Sequence, residues 1–254
     1  MLSAADWHRR YLSQAAWTRH LRNYLYKKVN ISQARTILDV GCGTGALESE
    51  LSDFTKAQVI GIDIDDKALL FSQQYSANAT YILADASHIP ISNSSIDLCL
   101  CHFFLLWIQA PEKVFAEMIR VTRPGGSILV LAEPDYGGRI DYPSELEIIA
   151  EWQKESLRMQ GADPFFGRKL ASLFETDKVN LQEYGVLGGR WKTWFDYSSW
   201  ELEWEVIEDD IKHLSEKGLS NVSIEDLKLK DLDAYRRGNR VLFVPTFYAW
   251  GIVN

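Results

Sequence analysis

The chain has 254 residues, 46% hydrophobic and 24% charged, a balance that suits a soluble globular domain with room for a sizeable core. Its formal net charge of −8 disfavours a phosphate-backbone partner, so a nucleic-acid substrate is not expected. There is no apolar run of membrane-spanning length and no basic-then-apolar leader, and the three cysteines lack metal-ligand spacing, which points to a reducing, cytoplasmic compartment and to no metal.

Residues 1–30 read as helix, with Trp7, Tyr11, Ala15, Leu21 and Leu25 on an apolar face and Arg9, Arg10, Arg19, Arg22, Lys27 and Lys28 around it. Thr36 to Val40 then reads as a buried strand. It ends in Gly41, Gly43 and Gly45 at alternate positions, and Ala46 to Leu51 begins a helical pattern. Glycine suits such a turn because it adopts backbone angles that side chains resist and lets a ligand touch bare backbone. Gly41, Gly43 and Ala46 also satisfy the looser dinucleotide pattern, so the glycines alone leave the cofactor open.

The acids that follow narrow the choice. Asp63 ends the next strand, 22 residues after Gly41, where a carboxylate accepts both hydroxyls of a ribose. Asp85 ends the strand after that, placed to accept from an adenine amino group. Asp39 sits just before the glycines, where a diphosphate would be repelled and a cationic amino group held. Residues 36–134 alternate as strand 36–40, helix 45–53, strand 58–64, helix 66–77, strand 80–84, strand 96–102, helix 111–122 and strand 127–133. That alternation predicts a parallel sheet with helices on both faces and a ligand crevice beside the first strand.

Leu38-Asp39-Val40-Gly41-Cys42-Gly43-Thr44-Gly45, Gly61-Ile62-Asp63, Ala84-Asp85-Ala86, Ser95-Ile96-Asp97-Leu98 and Arg120 to Gly126 occur in this order. Together they resemble the class I S-adenosylmethionine (SAM)-dependent methyltransferases of the small-molecule type, over about residues 35–135. The resemblance implies an α/β, Rossmann-like class I methyltransferase fold: a seven-stranded, mostly parallel sheet with a reversed last strand beside the fifth. It implies SAM as cofactor and S-adenosylhomocysteine as product. The cofactor-binding set becomes Asp39, Gly41, Cys42, Gly43, Gly45, Asp63, Ile64, Asp85 and Ala86. In this family the N-terminal helices cap the pocket, so Tyr11, Trp17, Arg19 and Arg22 are lid candidates, with Tyr11 and Arg19 the expected cofactor contacts. An arginine there would meet the carboxylate of SAM.

His102 falls at the end of the fourth strand, where sulfonium and acceptor would meet. It is a candidate cofactor contact and a candidate general base, weighed against an ordinary packing histidine. Phe103 and Trp107 would wall the acceptor side, and Phe104 stands between them. Glu133, Asp135 and Tyr136, at the end of the fifth strand, are candidate substrate contacts, with Tyr136 also a catalytic candidate. No Asn/Asp-Pro-Pro-Tyr/Phe motif follows the fourth strand, which disfavours amino-group methylation of bases. Beyond it, residues 143–160 and 168–174 read as helix, 180–191 as the sixth strand, 194–217 and 223–237 as helices, and 240–250 as the last strand. Pro245 is awkward there and marks a bulge or an edge.

The expected organisation is one methyltransferase domain over 1–254. Its core is 31–134 and 168–254, with an N-terminal cap, 1–30, and helical insertions 135–167 and 192–238 as a cover. The expected function is methyl transfer to O, N or C of a small molecule. The alternatives are a nicotinamide oxidoreductase, which Asp39 and Asp85 argue against, and a SAM-binding protein without transferase activity.

Overall fold

The computed structural model describes residues 3–76, 78–188, 197–215 and 223–254. Strands β1 (Thr36–Val40), β2 (Gln58–Asp63), β3 (Ala79–Leu83), β4 (Ile96–Cys101), β5 (Thr122–Pro134), β7 (Val179–Val186) and β9 (Thr246–Val253) form one sheet in the order β3-β2-β1-β4-β5-β9-β7. Every pairing from β3 to β5 is parallel, and β9 runs antiparallel to both its neighbours. This is the seven-stranded sheet with a reversed last strand expected from the sequence. The order turns outward in both directions from β1 and β4, so their carboxyl ends open the crevice.

Alternation along the strands divides the core. Ile37, Leu98, Leu100, Leu129 and Leu131 face α1 (Ala4–Lys28) and α2 (Glu48–Phe54), packing with Leu21, Leu25, Tyr26 and Leu51. Leu38, Val40, Cys99, Cys101, Ile128 and Val130 face α4 (Pro111–Val121) and the 3-10 turns Gly167–Phe174. Cys99 and Cys101 are fully buried free thiols on that second face. Helix α1 starts where Ser3 and Asp6 cap one another's backbone. Helix α3 (Asp66–Tyr75) starts at Asp65, whose carboxylate accepts from the N–H groups of Lys67 and Ala68.

A third cluster lies over the other end of the chain. Helices α5 (Glu147–Met159), α6 (Tyr197–Ser215) and α7 (Ile224–Arg236) bury Ile149, Trp152, Trp200, Trp204, Ile207 and Leu227 among themselves. Among the described residues no helix is long and apolar enough to cross a membrane.

The structure departs from the expected elements in instructive places. The last strand is two strands: β8 (Val241–Phe243) pairs with β6 (Ile140–Tyr142) in a separate ribbon, and β9 starts after Pro245. Proline has no N–H for a ladder, and the chain changes sheets there. The stretch Arg123 to Gly126, expected to separate the helix 111–122 from the strand 127–133, already belongs to β5, with a register shift opposite β4 and Gly125 at φ +72°. The helix expected over 45–53 begins at Glu48, because residues 41–47 stay in turns. The segment 168–174 is 3-10 rather than α-helical. Trp191, Trp194 and Phe195 lie outside the described residues, as do the ends of the expected elements 180–191 and 194–217.

Candidate active site

The glycine turn after β1 takes the backbone where only glycine goes without strain. Gly41, Gly43 and Gly45 have φ of +75°, +53° and +78°. A side chain at Gly41 would collide with the Phe104 ring, and one at Gly43 would press on the Tyr11 ring at 3.3 Å. The turn is thus held between the β4 exit loop and the N-terminal helix. Asp63 stands at its mouth, one carboxylate oxygen accepting from Gly43 N–H at 2.7 Å and the other from Asp65 N–H at 2.9 Å. Ile64, beside it, is 74% exposed. Asp85 is also exposed, oriented by Ser87 N–H at 2.8 Å, while Ala86 is buried. The ends of β2 and β3 therefore present two carboxylates along one rim.

Beneath that rim, Asp39 is buried beside Glu48, the first residue of α2. Burial, and then the neighbouring Glu48 charge, push the Asp39 carboxyl well above its usual range. Glu48 is likewise buried and is pushed up to about 7, chiefly by burial. Cys42, in the glycine turn, is buried next to both.

Helix α1 closes over the turn. His8 Nδ1 meets Thr44 Oγ1 at 2.9 Å, and its ring packs on Phe71 and Tyr75. Tyr11 lies over Gly43, and burial holds its phenol above the ordinary value. Arg19 is largely exposed, 3.7 Å from Glu50, and the fully buried Arg22 donates through Nε to the same carboxylate at 2.8 Å. Arg22 also donates to Thr18 Oγ1, which is 2.8 Å from His102 Nε2. The Thr18 hydroxyl also donates to Ala15 O at 3.3 Å. Burial, and then the Arg22 charge, keep His102 neutral by holding its pKa well below the usual value. Trp17 is exposed on the outer side.

On the acceptor side, the structure gives the candidates distinct places. Phe103 adopts φ +53°, a strained angle for a bulky residue, and its ring meets His102 edge-on at 4.6 Å. Trp107 is 43% exposed. Glu133 is fully buried: its carboxylate accepts from the N–H groups of Phe104, Leu105 and Leu106 at 2.9–3.1 Å. It holds the loop that carries Phe103 and Trp107. Asp135, also buried, takes both a Gly138 N–H and the guanidinium of Arg168. Tyr136 is half-buried, its N–H donating to Pro164 O at 2.8 Å. Glu133 and Asp135 thus meet the protein's own groups through the atoms that were expected to face a substrate.

Sequence reading singled out neither Glu48, His8, Thr18 nor Arg168. Only Glu48 left a signal, an acid on the side of α2 that packs beneath the glycines. The other three are visible only once distant segments are brought together. Two open cavities flank this region. One, of about 510 Å³, lies between α1 and α6 by Leu12 and Leu202; the other, of about 410 Å³, lies by Gln109, Asp163 and Lys169.

Residues 38–130, from β1 into β5, match the family described as a methyltransferase domain. Over those residues the chain is similar to a methyltransferase domain. The chain is 35% identical over 118 residues to malonyl-(acyl-carrier protein) O-methyltransferase of Hamiltonella defensa, covering 46% of this chain and 43% of that protein. It is 34% identical over 134 residues to the protein of the same name from Yersinia pestis, covering 51% and 46%. The matched stretch spans less than half the length of each relative. In fold, the chain is similar to geranyl diphosphate C-methyltransferase from Streptomyces coelicolor A3(2), with a TM-score of 0.58 at 14% identity, covering 94% of this chain and 76% of that one. Likeness at that identity concerns the fold alone.

Proposed function

We propose that the chain is a SAM-dependent methyltransferase acting on a small-molecule acceptor in the cytoplasm. The observation that carries this reading is the pair of rim acids Asp63 and Asp85 at the carboxyl ends of β2 and β3, with Asp39 of β1 buried beneath them, around a glycine turn that has no room for side chains. The residues fit the cofactor. Asp39 would hold its ammonium, Asp63 its ribose hydroxyls and Asp85 the adenine amino group. Ile64 and Ala86 would flank the adenine, with Gly41, Cys42, Gly43 and Gly45 against its backbone-contacting edge. When bound, SAM supplies a methyl group activated by the sulfonium charge.

The chain's own residues then position and enclose. Tyr11 and His8 lie over the turn and exclude water from it. Thr18 occupies Nε2 of His102, so Nδ1 is the ring nitrogen left to meet a ligand. Methyl transfer to an acceptor with a free lone pair needs little more than proximity and alignment. Phe103 and Trp107 would line the acceptor side, held by Glu133, and Tyr136 would face it from the end of β5; Arg19 remains a candidate for the cofactor carboxylate once Glu50 yields it. The net charge of −8 supports a partner other than nucleic acid.

Calorimetric titration with SAM and S-adenosylhomocysteine, with NAD as control, tests the cofactor. Micromolar binding of both sulfur compounds and none of NAD is expected. Asp63→Ala is expected to weaken SAM binding by more than about 1 kcal/mol, through lost charge-assisted hydrogen bonds. Unchanged affinity would remove Asp63 from the ribose site. Formation of S-adenosylhomocysteine in the presence of candidate acceptors then reads the transfer itself.

A further inference from the structure

Glu48 is a buried carboxylate with nothing to hold it. It is 1% exposed, and neither of its oxygens has a hydrogen-bond partner among the described residues. Its carboxylate lies between the glycine turn and the sheet. A side chain built on Gly61 would come within 2.9 Å of Oε1, and one on Gly45 within 3.6 Å of Oε2. The neighbouring Tyr81 hydroxyl is buried and unpartnered as well. Asp39, the carboxylate assigned to the cofactor's ammonium, is Glu48's neighbour from β1.

The groups that face this pair supply no cation in contact with it. Asp63 from β2, Cys42 from the turn, Tyr81 from β3 and Cys99 from β4 add negative charge or none. From α1 come Tyr26 and Arg22, and the arginine is committed to Glu50, Thr18 and Ala15. Two buried carboxylates without a cation keep a proton between them, because removing it would leave adjacent unscreened charges.

We propose that Glu48 holds a proton against Asp39 in the free protein, and that the cofactor's ammonium replaces that proton on binding. The proton goes to bulk buffer, the ammonium keeps its three hydrogens, and no bond other than the carboxyl O–H is broken. Glu48 is therefore a positioning residue that sets the charge Asp39 presents. This inference rests on the SAM reading above. Its sign follows from the pair's raised pKa: at pH below about 7 the proton must be expelled, so apparent SAM affinity falls up to about tenfold per pH unit as pH drops.

The test is calorimetry between pH 5.5 and 7.5 in buffers of differing ionisation enthalpy, with SAM, S-adenosylhomocysteine and 5′-methylthioadenosine, which lacks the amino-acid arm. Release of close to one proton at pH 6 is expected with the first two compounds and not with the third. Glu48→Gln is expected to bind SAM with less than a fifth of that release and a flat pH dependence. Binding of SAM with buffer-independent heat, equal release by 5′-methylthioadenosine, or undiminished release in a folded Glu48→Gln protein would each overturn the proposal. If Glu48→Gln does not fold, the three-ligand comparison on the unaltered protein decides. Failure of all three ligands to bind would instead overturn the cofactor reading, and the proposal with it.

Discussion

Two of the molecule's clusters of buried acids are treated in opposite ways. Under the cover, Asp141 accepts from Arg139 Nε at 2.6 Å and from Arg240 at 2.7 Å. Asp231 pairs with Arg240 through one oxygen and takes the indole N–H groups of Trp200 and Trp204 on the other, at 2.6 and 2.8 Å. Two carboxylates meet two guanidiniums, and the set is neutral and hydrogen-bonded. Under the glycine turn, Asp39 and Glu48 have no cation in contact; the Arg22 charge reaches Asp39 only as the weakest influence on it. A buried charge cluster that is complete in itself is architecture; one that lacks its counter-charge is waiting for a ligand. By that criterion the cover's network ties β6, α6, α7 and the segment before β8 together, and the β1 acids belong to the cofactor.

The largest effect is expected from breaking the complete cluster. Asp231→Ala leaves the Arg240 guanidinium short of one partner and removes the carboxylate that accepts from two buried indole N–H groups. Removing one member of a buried pair costs about 3–5 kcal/mol. Thermal melting should show a fall of roughly 6–15 °C for a chain of this size. A change under 2 °C would mean that the network does not hold the cover.

Glu133 is an intermediate case, a buried acid satisfied by backbone rather than by arginine. Glu133→Ala strands three consecutive amides in the β4 exit loop, at about 1–3 kcal/mol. Hydrogen exchange should locate the damage: the Phe104, Leu105 and Leu106 amides are expected to lose protection while those of α5 keep theirs. Unaltered exchange at these amides would return Glu133 to the list of free acceptor-side groups.

The contrast also explains what could be read from the chain alone. The sheet, the glycine turn and its rim acids are local: a strand, its loop and the next acid lie within short stretches, and the central strands are near-continuous apolar runs, as strands covered on both faces are. The break at Pro245 was signalled by the missing N–H, although its result, a ribbon with β6 about a hundred residues earlier, was not. Glu133 and Asp135 were located correctly at the carboxyl end of β5, but their partners come from 104–106 and from Arg168. No periodicity announces a hydrogen bond across that separation. His102 likewise takes its meaning from Thr18, 84 residues away.

The smallest effect, and the one that most sharpens the comparison, concerns Glu48 and stability. Its carboxyl is pushed up to about 7 in the folded chain, against about 4.3 in an unfolded one. Between those values the folded state binds more protons than the unfolded state, so this residue's contribution to stability falls as pH rises through the window and levels off above about 7. Glutamine keeps the shape, carries no charge and offers an amide N–H to Asp39. Glu48→Gln should therefore melt within about 1 kcal/mol of the unaltered protein at pH 5, and increasingly above it towards pH 8. Asp231→Ala should show a large loss at both. A Glu48→Gln protein that grows less stable relative to the unaltered chain as pH rises would mean that Glu48 already has its counter-charge, and the two clusters would no longer differ in kind.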